Sequence, residues 1–465
     1  MTIPAISETF ASKASHVRDF VEAAFEGFRD HSAIAMVSVP APLAAVESLL
    51  EAVPNEDAVV WEPPEGTAFS AVGAVETLRG EGLGRIAQIR DRAQALAPKI
   101  RLLAETEGVP PLRFFGGFSF QPGAARFEPW TSFGEARFVL PRFRYSRSGD
   151  RAWLSITARS EEIASEGARQ HLLSATEALW SSLRASPSAR RGAAPAVTGR
   201  EETTEAEWHA LVRAIVERIG RGEFEKIVIA RRSTLSFDRP IDVLDVLSEL
   251  SSSSKHCTRF AFRFGHGTFV GATPERLVRR AGLDIETEAL AGTNRVGDAT
   301  RAAEMLESPK EREEHEIVVR EIVSALSPVC ASLRHPASPE VRVLRHLIHL
   351  TTPIRGRLTE PLHVLDLVER LHPTPAVGGV PTRDAVRFIA GHEQMERGWY
   401  ASPIGWFDAS GDGEFAVALR SGAFVGSRAY LYAGGGIVRD SNPASEYAET
   451  RLKLQTLCAA LHVAQ

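Results

Sequence analysis

The hydrophobic pattern along the chain switches repeatedly between two periods. Residues 113–120 (RFFGGFSF) and 136–147 (ARFVLPRFRYSR) alternate apolar and polar side chains, as half-buried strands do. Residues 171–185 (HLLSATEALWSSLRA) space their apolar positions three and four apart and predict an amphipathic helix. From Thr204, TEAEWHALVRAIVERIGRGEFEKIVIARRSTLSF predicts a helix, a Gly-containing break and a β-branched strand. A polar break at residues 248–260 (SELSSSSKHCTRF) precedes strand-like RFAFRFGHGTFVGATPERLVRR and LDIETEALAGT. Long amphipathic helices are predicted from Lys310 (KEREEHEIVVREIVSAL) and from Ser445 (SEYAETRLKLQTLCAALHVA), and between them residues 413–438 read as a strand pair ending in a glycine run. At residues 184–200, RASPSARRGAAPAVTGR replaces the periodic apolar residues and reads as a linker. The mixture predicts α+β packing with extensive antiparallel sheet.

Composition narrows the class without naming a function. The 465 residues carry 54 Lys+Arg against 59 Asp+Glu, a formal net charge of −5, so no global charge favours nucleic acid or an anionic membrane. At 44% hydrophobic and 24% charged residues, the chain can build a sizeable core. Its length suggests two to four units at about 100–200 residues each. Cys257, Cys330 and Cys458 are odd in number and far apart, which disfavours a disulfide framework or a CxxC metal site and points to a reducing cytoplasm. The N-terminus has no basic start followed by an apolar run, and no run of about 18 apolar residues occurs, so neither secretion nor a membrane span is expected.

Candidate chemistry begins with two similar acid pairs. Glu311 and Glu314, and Glu446 and Glu449, are each three apart on a predicted helix and so share a face. Four carboxylates without His or Cys suit a hard cation such as Mg²⁺ beside an anionic substrate, although an isolated ExxE is ordinarily a solvated face. Gly434, Gly435 and Gly436 could turn backbone N–H groups toward a carboxylate or phosphate near a helix start, and Gly292 and Thr293 in LAGT offer a similar close approach. Without further context, both read as plain turns. Lys226 starts an apolar strand, where desolvation favours the neutral amine that can accept a proton. Glu275, in a turn, could be a general acid in a poorly hydrated pocket. The bland alternatives are a snorkelling lysine and an exposed glutamate. Tyr400, Arg420 and His349 are polar groups in strand-like or turn-rich segments, where structural hydrogen bonding is the usual role.

Taken in order, FEKIVIARR, GATPERLV, EALAGT, SPKEREEHEIVV, HLTTPIRGRL, HPTPAVGGVP, ERGWYASPIGW, VALRSG and YAGGGIVRDSNPASEYAETRLK resemble the chorismate-utilising enzymes. That family includes isochorismate, salicylate, anthranilate and aminodeoxychorismate synthases. The match runs from about Glu201 to the C-terminus. The first two hundred residues resemble the family loosely, through GGFSF, and look most like the N-terminal part of isochorismate synthases.

The resemblance implies a four-layer α/β/β/α fold, two stacked antiparallel sheets flanked by helices, with residues 1–195 as an N-terminal part and 196–465 as the chorismate-binding catalytic domain. It implies that Glu314 and Glu449 hold Mg²⁺, supported by Glu311 and Glu446. Tyr400, Arg420, Gly434–Gly436, Gly292, Thr293, His349 and Lys453 then line the substrate site. Aminodeoxychorismate synthases carry a nucleophilic lysine where this chain has Ala291, whereas water-using members carry a lysine at the position of Lys226. The implied activity is therefore that of an isomerase converting chorismate to isochorismate. Lys226 serves as base for water attacking C2 and Glu275 as acid for the departing C4 hydroxyl. The product would feed menaquinone or, as an alternative, a catechol siderophore. A salicylate synthase, which goes on to eliminate pyruvate, is the runner-up, and a non-catalytic chorismate-binding protein is disfavoured. A cytoplasmic monomer with no obligate protein partner is expected.

Overall fold

The computed structural model describes residues 14–463 apart from 29, 31–32, 104–107, 186–193, 297–298 and 346. Two sheets share a pair of long strands, Ala68–Gly80 and Ala136–Ser148. The second half of Ala136–Ser148 pairs with Arg151–Arg159, while its first half pairs with Arg113–Phe118. From the first junction the order runs outward through Ala58–Glu62, Thr258–Phe264, Gly267–Thr273, Ser421–Val425, Arg428–Ile437 and Lys226–Phe237. From the second it runs through Pro403–Asp408, Gly413–Val417, Arg276–Ala281, Asp284–Arg295 and Leu347–Leu358. Among the described residues the one parallel pairing joins Ile34–Pro40 to Ile100–Leu102.

The sheets face each other across an aromatic core. Phe69 lies 5.6 Å from Phe115 and 6.4 Å from Trp406 between ring centroids, and Trp399 packs on Phe262 at 5.7 Å. Helices cover the outer faces. Leu454, Leu457 and Cys458 of Pro443–Ala460 share one apolar cluster with Leu431 and Ala433 beneath them, and Ile322 and Leu326 of Pro309–Leu326 share another with Ile285. This is the α+β, four-layer α/β/β/α arrangement that the resemblance implies. Strands from either side of residue 195 are neighbours: Ala58–Glu62 pairs with Thr258–Phe264, and Arg113–Phe118 with Pro403–Asp408.

Three readings of the pattern change. Residues 186–193 of the expected linker lie outside the described residues, but Val197–Glu202 at its end is a strand paired with Lys226–Phe237. The first half of the expected polar break is helical: Val243–Ser253 runs to its last serines because Val246, Leu247 and Leu250 are buried and Asp242 caps it. The expected strand pair at 413–438 is three strands, Gly413–Val417, Ser421–Val425 and Arg428–Ile437, separated at Arg420 and at Gly426. Arg420 sits at φ 51 and Gly426 at φ 57, left-handed conformations that interrupt the extended chain. No described helix is long and apolar enough to cross a membrane, and Cys257, Cys330 and Cys458 form no disulfide.

Candidate active site

The glycine run is not a turn. Gly434, Gly435 and Gly436 lie inside Arg428–Ile437 and pair with Ala230, Ile229 and Val228. Glycine weakens a strand interior, so a local demand for space has to outweigh that loss. A Cβ on Gly436 would stand 2.5 Å from Glu314 Oε1 and 2.9 Å from Lys226 Cε, and one on Gly434 would stand 2.8 Å from the Ile229 carbonyl oxygen. LAGT is likewise a bulge within Asp284–Arg295, where the register slips between Ala291 and Thr293. Gly292 adopts φ 73 there, and a Cβ on it would come 2.7 Å from Glu311 Oε2.

These bare backbones floor a cleft of about 730 Å³, open solvent included. Lys226, Glu275, Gly292, Thr293, Glu314, His349, Tyr400, Arg420, Gly434, Gly436, Glu449 and Lys453 all line it. Gly435, Glu311 and Glu446 do not. Strand alternation turns Gly435 to the other face, toward Trp208 and Glu446. Sequence reasoning missed Arg397, Tyr432, Ala230, Pro274 and Val377, which also border the space. The signal for Arg397 was its i,i+4 spacing from Glu393, with which it forms an ion pair of 2.5 Å at 3% exposure on both sides.

Lys226 does not snorkel. It is 1% exposed, and its Nζ lies 2.8 Å from Glu314 Oε1. Glu275 is buried rather than exposed in its turn, in the two-residue link between Gly267–Thr273 and Arg276–Ala281. Its backbone is pinned on both sides: its N–H donates to Thr273 Oγ1 at 3.3 Å, and its carbonyl accepts from Val417 at 3.1 Å. Burial, and then the nearby Glu288, push its carboxyl up to about 8, against opposing pulls from Lys226, Arg342 and Arg420. At neutral pH Glu275 is therefore mainly protonated.

His349 accepts at Nε2 from Arg420 Nη2 at 3.0 Å, because a guanidinium can only donate. Its Nδ1 then carries the proton and donates to the Gly292 carbonyl at 3.0 Å. Burial, with Arg420 and Lys453 nearby, holds the ring well below its ordinary titration range, so it stays neutral. The Tyr400 ring stacks on Tyr432 at 5.1 Å, and burial pushes its phenol up to about 12. Lys453 bridges Glu449, at 2.6 Å, and the Gly434 carbonyl, at 2.9 Å.

The donor set suits a hard divalent cation. Glu314 and Glu449 reach the cleft from two helices, Glu446 is 2% exposed behind Gly435, and carboxylate oxygens are the donors such a cation takes. The absence of a Cβ at positions 292 and 436 leaves room for Glu311 and Glu314 to approach the backbone. With Lys226 and Lys453 bonded to Glu314 and Glu449, no three acidic, His or Cys side chains among the described residues are grouped as a metal site. A cation would take over carboxylates that these ammonium groups now hold.

Residues 21–462 match the model of a family described as chorismate binding enzyme. The chain is 39% identical over 412 residues to the salicylate biosynthesis isochorismate synthase of Pseudomonas aeruginosa, covering 86% of this chain and 84% of that protein. It is 37% identical over 352 residues to the isochorismate synthase MenF of Bacillus subtilis, covering 75% and 74%. Its fold matches that of MenF, the menaquinone-specific isochorismate synthase from Escherichia coli, with a TM-score of 0.76 at 27% identity over 95% of this chain and 99% of that one.

Proposed function

The chain belongs to the chorismate binding enzymes, and on that premise we propose that it is an isochorismate synthase, an isomerase that adds water at C2 of chorismate as the C4 hydroxyl is lost. The observation that carries the reading is the joint presence in one cleft of a buried lysine, Lys226, and a buried, protonated carboxyl, Glu275. Ala291 also lines that cleft, where aminodeoxychorismate synthases carry a nucleophilic lysine, and Lys226 stands where water-using relatives carry a lysine. Both favour water as the nucleophile.

Lys226 is the base that removes a proton from water as the water oxygen bonds to C2. The ring double bonds shift, the C4–O bond breaks, and Glu275 gives its proton to the departing hydroxyl, which leaves as water. One water enters and one leaves, so product and substrate are isomers. Arg420, held by His349, and the Gly434 and Gly436 backbone are suited to the substrate carboxylates, while Tyr400, Gly292, Thr293 and Lys453 shape the rest of the wall. Magnesium at Glu314 and Glu449, with Glu311 and Glu446 behind them, would offset the carboxylate charge and orient the substrate. Each acid or base contributes about 10²–10⁴-fold in rate.

We read the protein as a cytoplasmic monomer; that Cys257, Cys330 and Cys458 form no disulfide supports the cytoplasmic setting. We read residues 1–195 as the part that completes the sheets around the catalytic region 196–465. The product serves menaquinone formation, or a salicylate or siderophore route, according to the enzyme that next consumes it. The test is product analysis by NMR of purified protein with chorismate and Mg²⁺. Accumulating isochorismate supports the reading; salicylate with stoichiometric pyruvate would make the protein a salicylate synthase, and unchanged chorismate would overturn both.

A further inference from the structure

One ion pair outside the cleft grips the chain on both sides of Glu275. Glu288, in Asp284–Arg295, accepts from Arg342 through both carboxylate oxygens, at 3.0 and 2.6 Å. Arg342 Nη1 also donates to the Pro274 carbonyl at 2.8 Å, and Glu288 Oε1 accepts the Arg276 N–H at 2.9 Å. The residue before Glu275 and the residue after it are thus fixed by the two ends of the same pair. Neither Glu288 nor Arg342 lines the cleft. Arg342 lies on the short strand Glu340–Val343, where it pairs with His349, so the pair also joins the acid to the wall that holds Arg420.

We propose that Glu288 and Arg342 are positioning residues for the reaction, an ion pair that fixes the Pro274–Arg276 backbone and sets the protonation of Glu275 from outside the substrate space. The proposal rests on the reading of Glu275 as the proton donor. Four charged groups face that carboxyl: Glu288, Lys226, Arg342 and Arg420. Removing the charge of Glu288 takes away the negative neighbour and leaves the Arg342 cation uncompensated, and both effects favour ionised Glu275. Removing Arg342 does the reverse and leaves Glu288 unneutralised. A bidentate pair is sensitive to geometry, so lysine at 342 restores charge but not both hydrogen bonds.

The experiment measures single-turnover conversion of chorismate by Glu288→Gln, Arg342→Met and Arg342→Lys from pH 5.5 to 9.5, with Mg²⁺ and with far-UV circular dichroism as a fold control. Glu288→Gln is expected to lose about tenfold in rate at pH 8 while keeping about a third or more of it at pH 6, its alkaline limb moving down by about one pH unit. Arg342→Met is expected to move the limb up and to lower the rate at every pH, with Arg342→Lys restoring the limb more fully than the rate. The KM for chorismate is expected to stay within about twofold, since neither side chain lines the cleft. Unshifted limbs in folded variants, or a change confined to KM, would overturn the proposal. Glu275→Gln separates the two claims: if it turns over normally, the reading of Glu275 fails; if it is dead while the limbs do not move, only the positioning pair fails.

Discussion

Arg420 donates to His349 Nε2 across 3.0 Å, and this bond fixes the imidazole proton on Nδ1, where it meets the Gly292 carbonyl at 3.0 Å. The neutral ring thus links the guanidinium proposed to bind a carboxylate to the bulge that makes room for Glu311. His349→Phe leaves both Arg420 and Gly292 without this partner. An unmet buried polar group costs about 1–3 kcal/mol, so KM for chorismate is expected to rise about 10–100-fold, with a smaller effect on kcat. Steady-state kinetics checks this, and His349→Gln, which retains an acceptor, is expected to be milder.

Lys226→Ala and Glu275→Gln are each expected to lower turnover by about 10²–10⁴-fold while the protein stays folded. Rapid-quench assays with circular dichroism check both. Near-normal isochorismate formation by either variant would remove that residue from the mechanism.

Glu275 ties both activity and stability to pH, and both fall as pH rises. Its folded-state value of about 8 stands above the ordinary 4.5, so the folded protein holds this proton more tightly than the unfolded chain does. The stability contribution is full below about 4.5 and is lost as pH rises toward about 8. Turnover is expected to fall above pH 8 as the donor ionises. Glu275→Gln cannot ionise, so its Tm is expected to exceed that of the unmodified protein at pH 9 and to approach it at pH 4, as scanning calorimetry would show.

Gly436→Ala places a methyl group 2.5 Å from Glu314 Oε1. The carboxylate must move, and Mg²⁺ affinity is expected to fall about 10–100-fold, the range seen when groups that orient metal ligands are changed. Calorimetric titration of Mg²⁺ measures it directly. An unchanged affinity would separate Glu314 from the cation.

Much of the architecture was legible because it is written in local periodicity. The helix at Pro309–Leu326 and the strand from Lys226 follow from apolar spacing, whereas the helix at Pro443–Ala460 buries Glu446 and Thr450 beside Leu452, Leu454 and Leu457 and has no single apolar face. The glycine run was misread because glycine disfavours strands. Neighbours far away in sequence, Glu314 and Lys226 at Gly436 and the Ile229 carbonyl at Gly434, explain why glycine stands at these two ladder positions. The last turns of the helix Val243–Ser253 were read as a polar break because the helix ends in serines, and its packing lies upstream at Val246, Leu247 and Leu250. At the site, residue types were legible but burial was not. Lys226 and Glu275 lose solvent through tertiary packing, which no local pattern records. Glu288 and Arg342 were invisible because their partnership spans 54 positions and places neither in the cleft.

The central claim is that water enters at C2 while the C4 hydroxyl leaves, and isotope labelling tests it most directly. Purified protein is incubated with chorismate and Mg²⁺ in H₂¹⁸O, and the isochorismate is analysed by mass spectrometry and ¹³C NMR. The account predicts one solvent-derived ¹⁸O, located on C2. Isochorismate that forms with no ¹⁸O at C2 would mean that the original hydroxyl migrates within the substrate, contradicting the roles given to Lys226 and Glu275.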